Sequence, residues 1–91
     1  MKKRVTLKVF GLVQGTGYRY TTRRAAHQRG LVGYVTNLDD GTVEIVAEGP
    51  VDDLKLFVEW CYNGVGAAVV QKVEPSWSVA TGQFNDFVIK F

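Results

Sequence analysis

Residues 31–49 read LVGYVTNLDDGTVEIVAEG. The first part, LVGYVTN, is rich in β-forming residues, and TVEIVAEG alternates apolar with polar side chains. Between them stands Asp40-Gly41, a pair that favours a tight hairpin turn. Two strands joined so closely are expected to be antiparallel neighbours. A parallel pair needs a crossover of roughly a dozen residues or more, usually a helix. The hairpin therefore argues against a chain built from successive parallel β-α-β units.

Working outward, YRYTTRRAAHQRG (residues 18–30) has no proline and no internal glycine until Gly30. Tyr18, Thr22, Ala25 and Ala26 recur at helical spacing, and Gly30 is a natural stop. Before it, RVTLKVF (residues 4–10) alternates: Val5, Leu7 and Val9 point one way, Arg4, Thr6 and Lys8 the other, as in a half-buried strand. After the hairpin, GPVDDLKLFVEWC (residues 49–61) reads as a second helix. Pro50, Asp52 and Asp53 suit its start, and Leu54, Phe57, Val58 and Cys61 form its core-facing stripe. NGVGA (residues 63–67) ends it. AVVQKVEPSW (residues 68–77) is expected to be a strand that stops near Pro75, SVATGQFN (residues 78–85) a loop, and DFVIKF (residues 86–91) a short closing strand with Phe87, Ile89 and Phe91 on one face. The order is β-α-β-β-α-β plus a terminal strand. It predicts an α+β, ferredoxin-like sandwich: an antiparallel sheet with two helices on one face and a short C-terminal strand. Ninety-one residues fit one domain, residues 1–91. This fold hosts many functions, so the site has to be argued separately.

Charge is unevenly distributed. Residues 1–30 hold eight Lys and Arg and no Asp or Glu, while residues 31–91 hold three Lys and all nine carboxylates. A strand and helix with that surplus attract anions, although a solvated basic face would read the same. The single cysteine, Cys61, excludes an intrachain disulfide and fits a reducing, cytoplasmic setting. MKKRVTLKVF passes straight from basic residues into alternation, so neither a signal peptide nor a membrane span is expected.

Between the first strand and first helix lies GLVQGTGYRY, residues 11–20. Gly15 and Gly17 let the backbone curl without Cβ clashes. The N–H groups of such a turn, with the helix dipole, form an anion cradle. Thr16 is placed to cap the helix, which puts Arg19 where a capping box would hold Glu or Gln. An arginine there disfavours the helix by itself. It makes sense if residues 14–19 hold a phosphate or sulfate whose shell the guanidinium completes. An ordinary tight turn with an exposed arginine is the plainer alternative. The loop is neither a P-loop nor a dinucleotide-binding fingerprint, since it lacks G-x-x-x-x-G-K-[ST] and a properly spaced third glycine.

At this point the sequence resembles the acylphosphatase family. The family's first signature, G-x-V-Q-G-V-x-[FY]-R, is met by Gly11-Leu12-Val13-Gln14-Gly15-Thr16-Gly17-Tyr18-Arg19. The second, G-[FYW]-V-x-N-x3-G-x-V-x5-G, is met by Gly33-Tyr34-Val35-Thr36-Asn37, Gly41, Val43 and Gly49. The resemblance runs the whole chain. Thr16 stands where the family mostly has Val, and Thr36 where it more often has a long, commonly basic side chain. The resemblance implies hydrolysis of acyl phosphates, without metal or other cofactor. It implies that Arg19 holds the phosphate and Asn37 orients the attacking water. The phosphate cradle would be the backbone at Gln14, Gly15, Thr16, Gly17 and Tyr18. The expected partner is a small-molecule acyl phosphate, with no nucleic acid and no membrane, and the chain is expected to be a monomer.

Other candidates are weaker. His27 lies two turns beyond the cradle and reads as a surface residue at the helix end. Cys61 reads as a buried small hydrophobe. Asp39 and Asp40 belong to a turn that favours Asp. Trp60 and Trp77 read as packing residues. Arg23 lies one turn past Arg19, where it raises local potential or is simply solvated. Thr42, or a carboxylate elsewhere, is a candidate to steady Asn37. Three rival functions share the fold, one of them a carbamoyl-phosphate-handling module of a larger enzyme. An RNA-binding module would want stacking aromatics on the third strand, where this chain has TVEIVAEG. A non-catalytic anion-sensing domain would bind without turnover.

Overall fold

A computed structural model describes residues 1–63 and 66–91. Its central strand, β1 (Lys2–Leu12), is the alternating N-terminal segment. Val5, Leu7 and Val9 are fully buried on one face, and Arg4, Thr6 and Lys8 are half-exposed on the other. The hairpin strands are β2 (Val32–Asn37) and β3 (Val43–Pro50), paired antiparallel with Asn37 opposite Val43. β3 also pairs antiparallel with β1, with Val43 opposite Val9. β3 therefore lies between β1 and β2. β4 (Val69–Val79) pairs antiparallel with the other side of β1, and β5 (Phe87–Lys90) joins the outer side of β2. The sheet order is β4-β1-β3-β2-β5.

Both helices cover the Val5–Leu7–Val9 face. α1 (Tyr18–Gln28) buries Tyr18, Thr22, Ala25 and Ala26, the stripe read from the sequence. It ends as Gly30 permits, at φ 67°, with the Gly30 N–H donating to the His27 carbonyl and the Leu31 N–H to the Ala26 carbonyl. α2 (Val51–Asn63) has Asp52 and Asp53 in its first turn, where they complement the dipole, and it buries Leu54, Phe57 and Cys61 while Val58 packs against the core. Pro50 closes β3 and precedes this helix. The expected end at NGVGA falls partly on residues 64 and 65, which lie outside the described residues. Burial pushes the Cys61 thiol up to about 12, so it serves as a small apolar side chain. No helix among the described residues is long and apolar enough to cross a membrane.

The structure corrects the expected architecture at three points. β4 does not stop at Pro75 but runs through it to Val79. Pro75 is tolerated because β4 is the sheet's outermost strand, where a missing N–H leaves no neighbour unpaired. β5 is parallel to β2, so the sheet is mixed, antiparallel only across its first four strands. Phe91 lies past the end of β5 and is 92% exposed, so only Phe87 and Ile89 pack inward. Gly33 marks the tightest approach in the sheet. At φ 142° a Cβ there would sit 1.8 Å from the Val46 carbonyl oxygen, so no other residue fits.

At the far end of the sheet, β3 places Glu48 on the face away from the helices, opposite Arg4. Glu48 is nonetheless 3% exposed, because the segment after β4 folds over it. Its carboxylate accepts from Arg4 Nε at 2.7 Å, from the Thr81 N–H at 3.0 Å, from the Thr81 hydroxyl at 2.9 Å and from the Gly82 N–H at 3.0 Å. Burial works to raise its pKa, but these donors outweigh it and hold the carboxyl at about 2, against an ordinary 4.5. The group binds its proton less readily folded than unfolded. Its stabilisation is therefore complete above pH 4.5 and is lost as pH falls toward 2. Glu48→Gln should lower stability by about 1–3 kcal/mol at neutral pH and flatten the acid limb of a Tm-versus-pH curve. Equal acid limbs in the two proteins would show that the carboxylate does not carry this effect.

Candidate active site

The turn between β1 and α1 is built by a break in β1. The β1–β4 register shifts between Phe10 and Gly11, and Gly11 takes φ 132° with its Cα against the Val69 carbonyl. The chain then curls through Gly15 (φ 75°) and Gly17 (φ 82°), both with open space where a Cβ would be. Conformation, not crowding, requires glycine at these two positions. Gly17 is the helix N-cap, and no side chain caps the helix. Thr16 thus does not cap, contrary to the sequence expectation; its hydroxyl donates to the Val13 carbonyl inside the turn. The first backbone bond of the helix runs from the Thr21 N–H to the Gly17 carbonyl. Among the described residues, the N–H groups of Gly15, Thr16, Gly17, Tyr18 and Arg19 find no acceptor. They surround the positive end of α1, which has no acidic residue in its first turn.

Arg19 is the second residue of α1 and is half-exposed. Its guanidinium carbon lies 5.0 Å from the centre of the Phe91 ring. It makes no hydrogen bond or ion pair with another described residue, so its donors are free. Tyr18, just before it, points into the core, where its hydroxyl donates to the Cys61 carbonyl at 2.9 Å. Burial raises the Tyr18 pKa far above its ordinary value, so the phenol stays protonated and only its main chain faces the turn.

Asn37 is the last residue of β2 and shares the helix-covered face with Val35. Its Oδ1 is buried and accepts no hydrogen bond within the described residues. A lone buried amide oxygen of this kind needs an explanation. Thr42 does not steady it. The Thr42 hydroxyl and N–H both donate to Asp40 Oδ1, and Lys8 Nζ reaches Asp40 Oδ2 at 3.0 Å. The Thr42 hydroxyl bond, then Lys8, pull the Asp40 carboxyl down to about 2. Asp39 and Asp40 are turn residues, and no group of three or more metal-ligating side chains occurs among the described residues. His27 sits in the last turn of α1, with Nε2 3.1 Å from Asp86 Oδ1 and 3.0 Å from the Phe87 carbonyl. It is remote from the turn.

Two contacts relate the turn to the strand carrying Asn37. The Gln14 amide nitrogen donates to the carbonyls of Leu38 (2.8 Å) and Thr42 (2.9 Å), which flank the hairpin directly after Asn37. Phe91, against Arg19, follows Lys90, which pairs with Thr36 next to Asn37. With β3 between them, Val9 of β1 and Asn37 stand two strand spacings apart, or about 10 Å. No hydrogen bond joins Arg19 to Asn37. The sequence marked Gln14 as part of the cradle but not as a side-chain tie, and it missed Phe91 as a neighbour of Arg19. Neither has a local signal, because the Gln14 partners lie 24 and 28 residues away.

Comparison with known proteins follows the same lines. The family model described as Acylphosphatase matches residues 5–89. An acylphosphatase of Caldanaerobacter subterraneus subsp. tengcongensis is 43% identical over 89 residues, covering 98% of this chain and 99% of the relative. One from Marinobacter nauticus is 49% identical over 81 residues, 89% of this chain and 88% of the relative. The crystal structure of acylphosphatase from Bacillus subtilis superposes with a TM-score of 0.94 at 38% identity, covering both chains completely.

Gln14→Leu removes both donors of the tie while keeping the side chain's bulk. It should cost about 1–2 kcal/mol of stability, seen in urea as a lower midpoint with an unchanged m-value. An unchanged midpoint would mean that the two bonds hold nothing together.

Proposed function

This chain belongs to the acylphosphatase family, and from that premise we propose how it hydrolyses acyl phosphates. The observation that carries the reading is the run of acceptor-free N–H groups from Gly15 to Arg19 beside a free guanidinium. A phosphate dianion supplies the acceptors these groups lack. Arg19 offers it a planar fork of donors, and main-chain amides at Gly15, Thr16, Gly17 and Tyr18 grip the remaining oxygens. Gln14 contributes by holding the cradle against the hairpin. Asn37 uses its unpartnered Oδ1 to accept from a water and its NH2 group to donate.

The water oxygen attacks phosphorus as the bond from phosphorus to the acyl oxygen breaks, giving a carboxylate and inorganic phosphate. The leaving carboxylate is the base of an acid with pKa near ~4 and departs without being protonated. No strong general acid is therefore required of the protein. Phosphoryl transfer through a loose transition state rests mainly on positioning and charge stabilisation. Asn37 is not a base near neutral pH, so the proton of the attacking water passes to a phosphate oxygen of the substrate.

Hydrolysis of benzoyl phosphate tests this assignment. Arg19→Ala should lower kcat/KM by roughly 10^2–10^3 or more, equivalent to about 2–5 kcal/mol of transition-state stabilisation. Arg19→Lys should restore little of it, because an ammonium lacks the planar fork. Asn37→Ala should lower kcat while leaving inhibition by inorganic phosphate nearly intact. Normal turnover by Asn37→Ala would refute its role in orienting water.

A further inference from the structure

The amides of the turn between β1 and α1 have to be aimed together before an anion can use them. Gly15 and Gly17 take positive φ, 75° and 82°, and Thr16 between them does not. A backbone that alternates in this way turns successive N–H groups to one side and forms an anion-binding concavity. Glycine is also the residue that loses most conformational freedom on being ordered. No atom lies within 4 Å of the place where a Cβ of either glycine would stand, so that side of both faces open space.

Side chains supply the restraint, at every second residue. Gln14 donates to the Leu38 and Thr42 carbonyls, and the Tyr18 hydroxyl donates to the Cys61 carbonyl. These contacts hold the two ends of the turn to the hairpin and to α2. The middle is held by Thr16, whose hydroxyl donates to the Val13 carbonyl at 2.5 Å. Among the described residues it is the one side-chain hydrogen bond that begins and ends inside the turn. Val13 is 2% exposed and belongs to the core, so the bond ties the middle of the turn to the packed interior. A hydroxyl has one proton to donate. With that proton on Val13, Thr16 has only its main-chain N–H to offer an anion. Thr16 is also where residues 11–19 depart from the acylphosphatase signature, which mostly has Val there. Val has the shape of Thr and no donor.

Resting on the reading of this turn as the phosphate cradle, we propose that the Thr16 hydroxyl is a positioning group. By closing on Val13 it sets Gly15 and Gly17 in the receiving conformation before phosphate arrives. It does not touch the phosphate oxygens and takes no part in bond breaking. The turn is ordered in the free protein, so less binding free energy is lost to ordering it.

Thr16→Val removes the donor and keeps the shape, whereas Thr16→Ser keeps the donor. The probe is inorganic phosphate, titrated against backbone amide NMR signals, so that binding is read without turnover. Thr16→Val should weaken phosphate by about three- to ten-fold, the worth of one net hydrogen bond. Its KM for benzoyl phosphate should rise by more than its kcat falls. Thr16→Ser should recover most of the phosphate affinity. Without phosphate, the amide order parameters of Gly15 and Gly17 should be lower in Thr16→Val than in the wild type. Wild-type phosphate affinity in Thr16→Val overturns the proposal, even if its urea midpoint falls, because that pattern marks a bond serving the fold alone. Failure of Thr16→Ser to recover affinity overturns it too. So do unchanged order parameters with weakened phosphate, because the hydroxyl then contacts the anion directly. A wild type that binds phosphate at the turn but leaves benzoyl phosphate intact would refute the acyl phosphate reading, while the titration still decides the role of Thr16.

Discussion

The register of β1 is the constraint on which the rest depends. Val5, Leu7 and Val9 face the helices only because Val5 pairs with Ala47, Leu7 with Ile45 and Val9 with Val43. A slip of one residue would bury Arg4, Thr6 and Lys8 instead. The same register carries outward through β3 to β2. It fixes Asn37 opposite Val43 and thereby on the helix-covered side, at the end of the sheet where β1 leaves for its turn. The position of a carboxamide on one strand is thus set by apolar alternation on another, two strands away.

The sheet aligns the parts, and local chemistry finishes them. The bulge at Gly11 and the positive φ of Gly15 and Gly17 turn a row of N–H groups outward instead of into a ladder. Gln14 then spans to the hairpin, and Lys8 reaches the same hairpin through Asp40. A strand, a turn and a hairpin distant in sequence are held as one unit by three polar side chains. The opposite end of the sheet is closed separately, by Glu48 and its ring of donors.

Most of the architecture was legible because it is periodic. The hairpin, both helix stripes and the alternation of β1 follow from spacings of two and of three to four residues. The departures arise where a residue's meaning depends on neighbours the sequence does not name. Pro75 breaks a strand in the middle of a sheet but not at its edge, and the edge is known only once strand order is known. Thr16 and Gly17 are both acceptable caps, and the choice follows from which residue takes positive φ. Thr42 was a reasonable partner for Asn37, but Asp40, two residues away, captures its hydroxyl. Glu48 read as one polar residue in an alternating strand, yet its partners lie 33 to 44 residues away. The candidate site was legible by motif, residue by residue, whereas the ties that assemble it were not.

The aromatic cluster between α1 and α2 has an optical consequence. Trp60 lies 6.1 Å from the ring of Tyr18 and 6.4 Å from that of Phe57, nearly parallel to the latter. Tyr18 is the residue immediately before Arg19, so the indole on α2 is placed to sense the seating of the first turn of α1. Trp77 is 44% exposed on the outer strand. Trp60 is half-buried and Trp77 the more exposed, so an aqueous quencher should reach Trp77 more readily, giving one chain two indole probes without any label.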